Sequence, residues 1–368
     1  MVNEKLHLTG LSKAELAALV REIGEPAYRA RQIFKNIHGR RQLSFDEMTD
    51  LPLALRRRLN EIALAAILTL ESKFVSEDGT RRFLMRTQDG RPVETVYIPT
   101  TSRDTICFSS QSGCQLKCDF CLTAKLGLLR SMTAGEIVEQ IIIVLNDVYG
   151  IGIETPHGTN LVAMGEGEPF LNFDNLVKAL AIMADPNGLF IVPSRVTVST
   201  AGIVPRIYDF ASLEGRPNLA ISLSATTDEL RDKLMPINKR WNIAELLTAA
   251  KAFEKTLKRG ERFTFEYVLL GGVNDSVDDA GRLAALLKKH DLRRVKINLM
   301  PHNPAEQLPY CPSDRDQVLR FKRVLEDAGV SAYIRTPRGR DIYAACGQLA
   351  AKQEPNLVQI ASELRLQP

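Results

Sequence analysis

At 368 residues, 45% of them hydrophobic and 25% charged, the chain can bury a large core, and its length suits one big domain with a smaller one beside it. Lys and Arg number 48 against 44 Asp and Glu, a net charge of +4 that permits a nucleic-acid partner without demonstrating one. The longest aliphatic run, Ile141-Ile142-Ile143-Val144-Leu145, is far too short to span a bilayer and MVNEKLHLTG has no apolar core for secretion, so a cytoplasmic protein with no membrane partner is expected.

Residues 1–65 predict a small helical domain. Ser12-Lys13-Ala14-Glu15 is a capping box opening one helix, Pro26 starts a second, and Ser44-Phe45-Asp46-Glu47 caps a third. Its polar face carries Arg29, Arg31, Lys35, Arg40, Arg41, Arg56, Arg57 and Arg58, which fits RNA phosphates or a plain solvated surface. From Thr80 to Pro99 the pattern alternates: Arg82–Arg86 and Val93–Ile98 flank a Gln88-Asp89-Gly90 turn and predict a hairpin, so residues 66–100 form a short β-hairpin linker. Glu94 is the one carboxylate in the second strand, and alternation alone turns it outward.

Residues 101–340 alternate short β-branched runs with helical stretches. Predicted strands are Thr105–Ser109, Asn160–Met164, Arg195–Ser199, Asn218–Leu223, Phe263–Leu269 and Val295–Leu299, with Ala332–Ile334 a weaker seventh; helices include Thr133–Tyr149, Phe173–Ala184, Ile243–Lys258, Asp278–Lys289 and Asp314–Ala328. Such alternation gives an α/β fold with a parallel sheet, and six units are too few to close an eight-stranded barrel, leaving a partial (βα)6 barrel with ligands at the carboxyl ends of its strands.

After the first strand comes Gly113-Cys114-Gln115-Leu116-Lys117-Cys118-Asp119-Phe120-Cys121, which holds half of the chain's 6 cysteines. Thiolates this close can turn onto one metal centre. A zinc ion wants a fourth protein ligand, and no His or Cys follows Cys121 soon enough to close the tetrahedron locally, so the three suit a four-iron cluster with one iron left open; buried free cysteines are the plainer alternative. After the second strand, Met164-Gly165-Glu166-Gly167-Glu168-Pro169 is either a tight turn or a place where a carboxylate meets an ammonium group. Later strands end in Ser199-Thr200-Ala201-Gly202, Ser222-Leu223-Ser224-Ala225 and Met300-Pro301-His302-Asn303-Pro304, each offering small polar groups where a ligand would lie.

Residues 341–368 close the chain. Cys346 lies in a glycine-containing, charged, small-sided segment that predicts a mobile loop, and its nearby arginines make it a candidate nucleophile. Cys107 is an apolar strand residue, Cys311 has no evident partner, and Gln353–Pro368 predicts a short helix packed on the body.

Cys114-x3-Cys118-x2-Cys121, with Phe120 before the last cysteine, resembles the cluster motif of radical S-adenosylmethionine (SAM) enzymes. Over nearly its whole length the chain resembles the RlmN family in particular, through Gly24-x-Pro26-x-Tyr28-Arg29-x-Arg31-Gln32, Phe45–Thr49, Val93–Val96, Cys107-x-Ser109-Ser110-Gln111-x-Gly113-Cys114, Arg231-Asp232 with Pro236-Ile237-Asn238, and Asp341-Ile342 with Ala344–Leu349. The resemblance implies methylation of adenine C2 in 23S rRNA, at the peptidyl-transferase centre, and in a tRNA anticodon loop. It implies a [4Fe–4S] cluster on Cys114, Cys118 and Cys121, and two SAM molecules per turnover, with contacts at Gly167, Glu168, Ser199, Ser222, Leu223, Ser224 and Asn303. Cys346 would carry the methyl group, Cys107 would resolve the protein–RNA adduct through a disulfide, and Glu94 would be the base. A monomer served by an electron donor such as flavodoxin and its reductase is expected. The C8-methylating Cfr relatives share the terminal motif, and a zinc-holding RNA-binding protein is the alternative of another class. Three positions depart from the family: Ser224 where histidine is common, Glu166 where methionine is common and Ala124 where glycine is frequent.

Overall fold

The computed structural model describes residues 5–349. Ser12 accepts from the Glu15 amide while the Glu15 carboxylate accepts from the Ser12 amide at 2.8 Å, and this reciprocal box opens α1 (Lys13–Glu22). Pro26 precedes α2 (Tyr28–Phe34), and α3 (Leu53–Ile62) begins behind Pro52. The third helix therefore starts later than the sequence predicts: Ser44 caps nothing and leads only into a 3-10 turn, Phe45–Glu47. Buried Phe45, Met48 and Leu51 recur every three positions, a spacing for tight turns, whereas Leu55 and Leu59 recur after four and bury one face of α3.

Ten strands then form one sheet whose spatial order is their order in the chain: β1 (Thr69–Val75), β2 (Arg81–Arg86), β3 (Pro92–Pro99), β4 (Asp104–Cys107), β5 (Thr159–Ala163), β6 (Val196–Thr200), β7 (Asn218–Ser222), β8 (Phe263–Leu269), β9 (Val295–Pro301) and β10 (Ser331–Ile334). Pairing is antiparallel from β1 to β4 and parallel from β4 to β10. The predicted hairpin is β2–β3, and β3 pairs with β4, setting Val96 opposite Cys107, so the hairpin extends the main sheet. Its outer neighbour β1 has one buried side chain, Phe74, and so presents no apolar alternation to read.

Each of β4–β9 is followed by a helix: α4 (Ala134–Tyr149), α5 (Phe173–Ala184), α6 (Val204–Ser212), α7 (Ile243–Lys255), α8 (Val277–Lys289) and α9 (Arg315–Asp327). With β10 as a seventh parallel strand and no pairing between the first and last strands among the described residues, the fold is a partial (βα)6 barrel behind an N-terminal helical domain. Helix α6 buries only Ile207 and Phe210, too short a stripe to stand out in the sequence. A chain of rings, Phe170–Phe210–Phe253–Phe263–Phe265, runs between helices and sheet with neighbouring centroids 5.3–6.2 Å apart, and it fixes the loop after β5 from below.

The helical module docks on α4 and α5. His7 Nε2 lies 3.0 Å from Glu139 of α4, whose carboxylate also accepts from the Ile67 and Leu68 amides, and Lys178 of α5 reaches Glu15 at 2.7 Å. Among the described residues no helix is long and apolar enough to cross a membrane.

Candidate active site

The cysteine loop leaves β4 through a two-stranded ribbon, Gln111–Gly113 against Leu128–Ser131. Gly113 has φ +71°, and a Cβ there would collide with the Gly127 carbonyl, so the ribbon accepts only glycine next to the first cysteine. The Cys114 amide donates to Gly127 O at 2.9 Å, the Asp119 amide to Leu234 O at 2.9 Å, and Tyr310 Oη to Asp119 at 2.7 Å. Backbone and side chain thus both hold the loop over the barrel mouth.

Cys114, Cys118 and Cys121 line one cavity of about 180 Å³ with Phe120, Gly165, Gly167, Glu168, Ser199, Ser222, Asn303 and Cys346. Its walls are the carboxyl ends of β5–β9 and the C-terminal loop. Burial pushes the Cys114 thiol up to about 12 and Cys118 well above its ordinary value, the other two thiols adding to the shift, and burial also raises Cys121. Three thiols, one buried and two half-buried, whose ionisation is opposed by loss of solvent and by one another's charge need a cationic centre to ionise. Three thiols lining one cavity are the donor set of a cluster in which each thiolate holds its own iron.

Glu168 lies at the cavity wall, its Oε1 accepting from Phe170 N at 3.0 Å and its Oε2 from Ala201 N at 2.7 Å, while burial raises it to about 7. Gly167, with φ +93°, packs against Gln111 so closely that any side chain would clash. Ser199 and Ser222 face the same space. Leu223 and Ser224 do not: Leu223 is fully buried, and Ser224 sits behind the wall at φ +51°, its hydroxyl accepting from Val268 N at 3.3 Å. Ala124 lines the cavity, whereas Glu166 turns toward Glu94 and away from Glu168.

The segment carrying Cys346 is pinned rather than mobile, contrary to its small-sided, charged composition. Asp341 accepts from Ser76 Oγ at 2.6 Å, Asp78 accepts from the Gly339 amide at 3.1 Å, Asn303 Nδ2 donates to Cys346 O at 3.1 Å, and the Leu122 amide donates to Gly347 O at 2.8 Å. Ile342, Ala344 and Leu349 are buried with Phe74, Val96 and Cys107, so the loop lies on the sheet face that bears Cys107. Cys346 itself is exposed. Burial, and then the charge of Cys346, push the Cys107 thiol up to about 12, while the charges of Cys346, Glu266 and Cys107 hold the Arg335 guanidinium above its ordinary value. Cys346 also borders a second cavity, of about 110 Å³, shared with Thr105, Arg335 and Arg338.

Glu94 does not point outward. It is 1% exposed and accepts from Arg82 Nη1 at 2.8 Å, and Arg82 stacks over the Phe74 ring at 4.5 Å. The strand pattern misleads here because both faces of β3 are covered, one by helix α4 and the other by the C-terminal loop. Arg231 was legible only as part of a motif. Fully buried, it donates to the carbonyls of Ala201, Ser222 and Leu223 at 2.8–3.1 Å and ties the ends of β6 and β7 together. Glu266 on β8 lines the cavity with Oε2 free of any donor among the described residues and Oε1 held by Asn298 at 3.0 Å; inside an apolar strand it gave no signal. Cys311 is exposed and away from both cavities.

Residues 6–65 match the family described as the ribosomal RNA large subunit methyltransferase N-terminal domain, and residues 108–284 match the radical SAM superfamily. A protein of Koribacter versatilis named a probable dual-specificity RNA methyltransferase RlmN is 48% identical over 343 residues, covering 89% of this chain and 96% of its own. A dual-specificity RNA methyltransferase RlmN of Geobacter sulfurreducens is 46% identical, covering 94% of this chain and 92% of its own. The crystal structure of a radical SAM methyltransferase from Sphaerobacter thermophilus superposes with a TM-score of 0.89 at 38% identity, covering 94% of this chain and all of that one. Barrel, cysteine loop and these matches together define a radical SAM methyltransferase. Within that class, the chain belongs to the RlmN family.

Proposed function

We propose that this enzyme methylates C2 of an adenosine in 23S rRNA, at the peptidyl-transferase centre, and of an adenosine in a tRNA anticodon loop, through an S-methylcysteine and a covalent protein–RNA adduct. The observation that carries this is Cys346 at the wall of the cavity that the three cysteines of the loop line, with Cys107 near enough for its thiol to feel the charge of Cys346.

Adenine C2 is electron-poor and carries no acidic proton, so it cannot attack the methyl group of SAM. A thiolate can, and Cys346, exposed and near Arg335, is the residue to accept that methyl group by displacement. Cys114, Cys118 and Cys121 would hold the [4Fe–4S] cluster, which together with a second SAM supplies a 5′-deoxyadenosyl radical once a donor such as flavodoxin has delivered an electron. Glu168, in the loop after β5, would bind the ammonium group of SAM, and Ser199, Ser222 and Asn303 its other polar groups. The methylene derived from the Cys346 methyl group then bridges Cys346 and C2. As Glu94 takes the C2 proton, one electron would leave the adduct for the centre that supplied it, and Cys107 would then attack the Cys346 sulfur, the methylene taking up a proton as its bond to sulfur breaks, to release methyladenosine and leave a disulfide. The N-terminal helices would hold the RNA, the chain acting as a cytoplasmic monomer.

Incubating reconstituted enzyme with SAM, a reductant and each RNA, followed by mass spectrometry of the digests against both methyladenosine isomers, tests this directly. C2-methyladenosine is expected. C8-methyladenosine would reassign the regiochemistry, and a colourless, zinc-containing protein without product would overturn the enzyme reading.

A further inference from the structure

Two acids and one base are buried together between β3 and the loop after β5. The Ser109 hydroxyl donates to Glu94 O at 2.6 Å and accepts from Glu166 N at 2.8 Å, so one side chain ties the two glutamates' backbones together. Glu166 Oε2 accepts from the Gly113 amide at 2.9 Å; its Oε1 is buried without a donor among the described residues, and the carboxyl faces that of Glu94. Glu94 is ion-paired to Arg82 at 2.8 Å. Glu94, Glu166 and Arg82 are 1%, 1% and 3% exposed.

The charged groups turned toward Glu166 are Glu94 and, more distantly, the Cys114 thiol; Arg82 faces Glu94. One guanidinium cannot balance two carboxylates in a site that excludes water, where like charges in contact cannot both stay ionised. Glu94 has the cation, so the proton belongs to Glu166, whose carboxyl burial and Glu94 together hold well above the usual range.

We propose that Glu166 is a positioning residue for Glu94, keeping one proton between the two carboxyl groups and donating it to Glu94 as a hydrogen bond. This rests on the reading of Glu94 as the base. Arg82 and Glu166 then fix the Glu94 carboxylate from two sides, ionised and in one orientation. Taking the C2 proton carries the pair from one proton to two and from one negative charge to none, and no proton leaves Glu166 in the step. A methionine at this position could neither hold nor donate that proton.

Infrared difference spectra of the cluster-loaded enzyme test it without turnover. Wild type minus Glu166→Gln at neutral pH should show the stretch of a buried, protonated carboxyl that shifts in D2O, and Glu166→Met, with unchanged iron content, should lack the same band. In single-turnover release of the RNA adduct, Glu166→Gln keeps a permanent donor and should stay within about threefold of wild type at neutral pH, while Glu166→Met, without the donor, falls about tenfold. The ratio of Glu166→Gln to wild-type release rates should rise at alkaline pH, where wild type loses the shared proton and the variant has none to lose. Contributions from Cys107 cancel in that ratio. Absence of the carboxyl band in the wild type, or a flat ratio, overturns the shared proton. Normal release by Glu94→Gln would overturn the base role instead and would leave the infrared band in place.

Discussion

Asn303 holds the C-terminal loop at two points, its Nδ2 donating to the Cys346 carbonyl at 3.1 Å while its Oδ1 accepts from Arg340 Nε at 2.8 Å. The same amide borders the cavity of the cluster cysteines. One side chain therefore couples the position of Cys346, the proposed methyl carrier, to the cavity where SAM would lie.

Asn303→Ala removes both bonds, each contributing about 1 kcal/mol, so the Cys346 loop should open more often and its hydrogen-bonded Ala344 and Gln348 amides should exchange roughly tenfold faster or more. Methylation of Cys346 should slow at the same time, because the sulfur is no longer held against the cavity. Hydrogen–deuterium exchange of the loop peptide reads the first effect and mass spectrometry of S-methylated Cys346 the second. Unchanged values of both would show that the contacts at Ser76, Asp78 and Leu122 suffice.

The barrel and the cysteine loop were legible because their signals are local. Alternating β-branched runs and capping residues set the strands and helices of the barrel, and three cysteines in eight positions announce themselves. What stayed hidden depends on partners distant in the chain. Glu94 looks solvent-facing until α4 and the C-terminal loop cover β3, and Arg82, its partner, is another polar residue of a hairpin. The Cys346 segment reads as mobile because glycine and small residues suggest freedom, whereas its anchors lie 37 to 265 positions away in sequence. Ser224 looks like a cavity residue because it follows Ser222, but its left-handed backbone turns it behind the wall.

Of the basic residues on the polar face of the helical module, Arg31, Lys35, Arg40, Arg57 and Arg58 are exposed, Arg40 and Arg58 in ion pairs with Asp50 and Glu61, whereas Arg41 is buried and donates to Gly150 O at 2.9 Å and to Ile153 O. Arg31 and Lys35 stand four apart on α2 and its continuation, beside exposed Tyr28. Arg31→Ala with Lys35→Ala should weaken RNA binding and reduce its salt slope by about 2, leaving reductive SAM cleavage intact. Arg41→Ala should instead lower thermal stability, by about 1–3 kcal/mol, since it removes two hydrogen bonds made by a charged, buried guanidinium. Salt-titrated RNA binding that is the same for the double variant and wild type would make the α2 face merely solvated.

Glu168 gives a pH dependence of defined sign. Its carboxyl is raised to about 7 by burial, against the two amides that favour its ionised form. Below that pH it is protonated and neutral and cannot pair with an ammonium group. SAM affinity should therefore be full above neutrality and fall by up to tenfold per pH unit below it, levelling off as other contacts take over. Glu168→Gln should bind weakly at every pH with no such slope. Equilibrium dialysis of the cluster-loaded protein across this range measures both, and a wild-type profile as flat as that of the variant would remove Glu168 from the SAM site.

Cys107 and Cys346 are separated by what each failure leaves behind. Cys346 borders the cavity and is exposed, so it can receive a methyl group; Cys107, buried under Ile342, Ala344 and Leu349, can act only on what the loop brings to it. Cys346→Ala has no carrier and should neither methylate RNA nor join to it. Cys107→Ala should still take the methyl group and reach the adduct, then stall, because the thioether to adenine is stable until a second thiol attacks its sulfur. Protein purified from cells should then carry RNA that survives denaturing gels and vanishes on nuclease treatment. The double variant should carry none. Neither substitution should unfold the chain: Cys346 is exposed, and at Cys107 a single buried sulfur is lost, a destabilisation of about 1–2 kcal/mol. Normal turnover by Cys107→Ala would remove it from the resolving role, and RNA trapped on Cys346→Ala would place the methyl group on another residue.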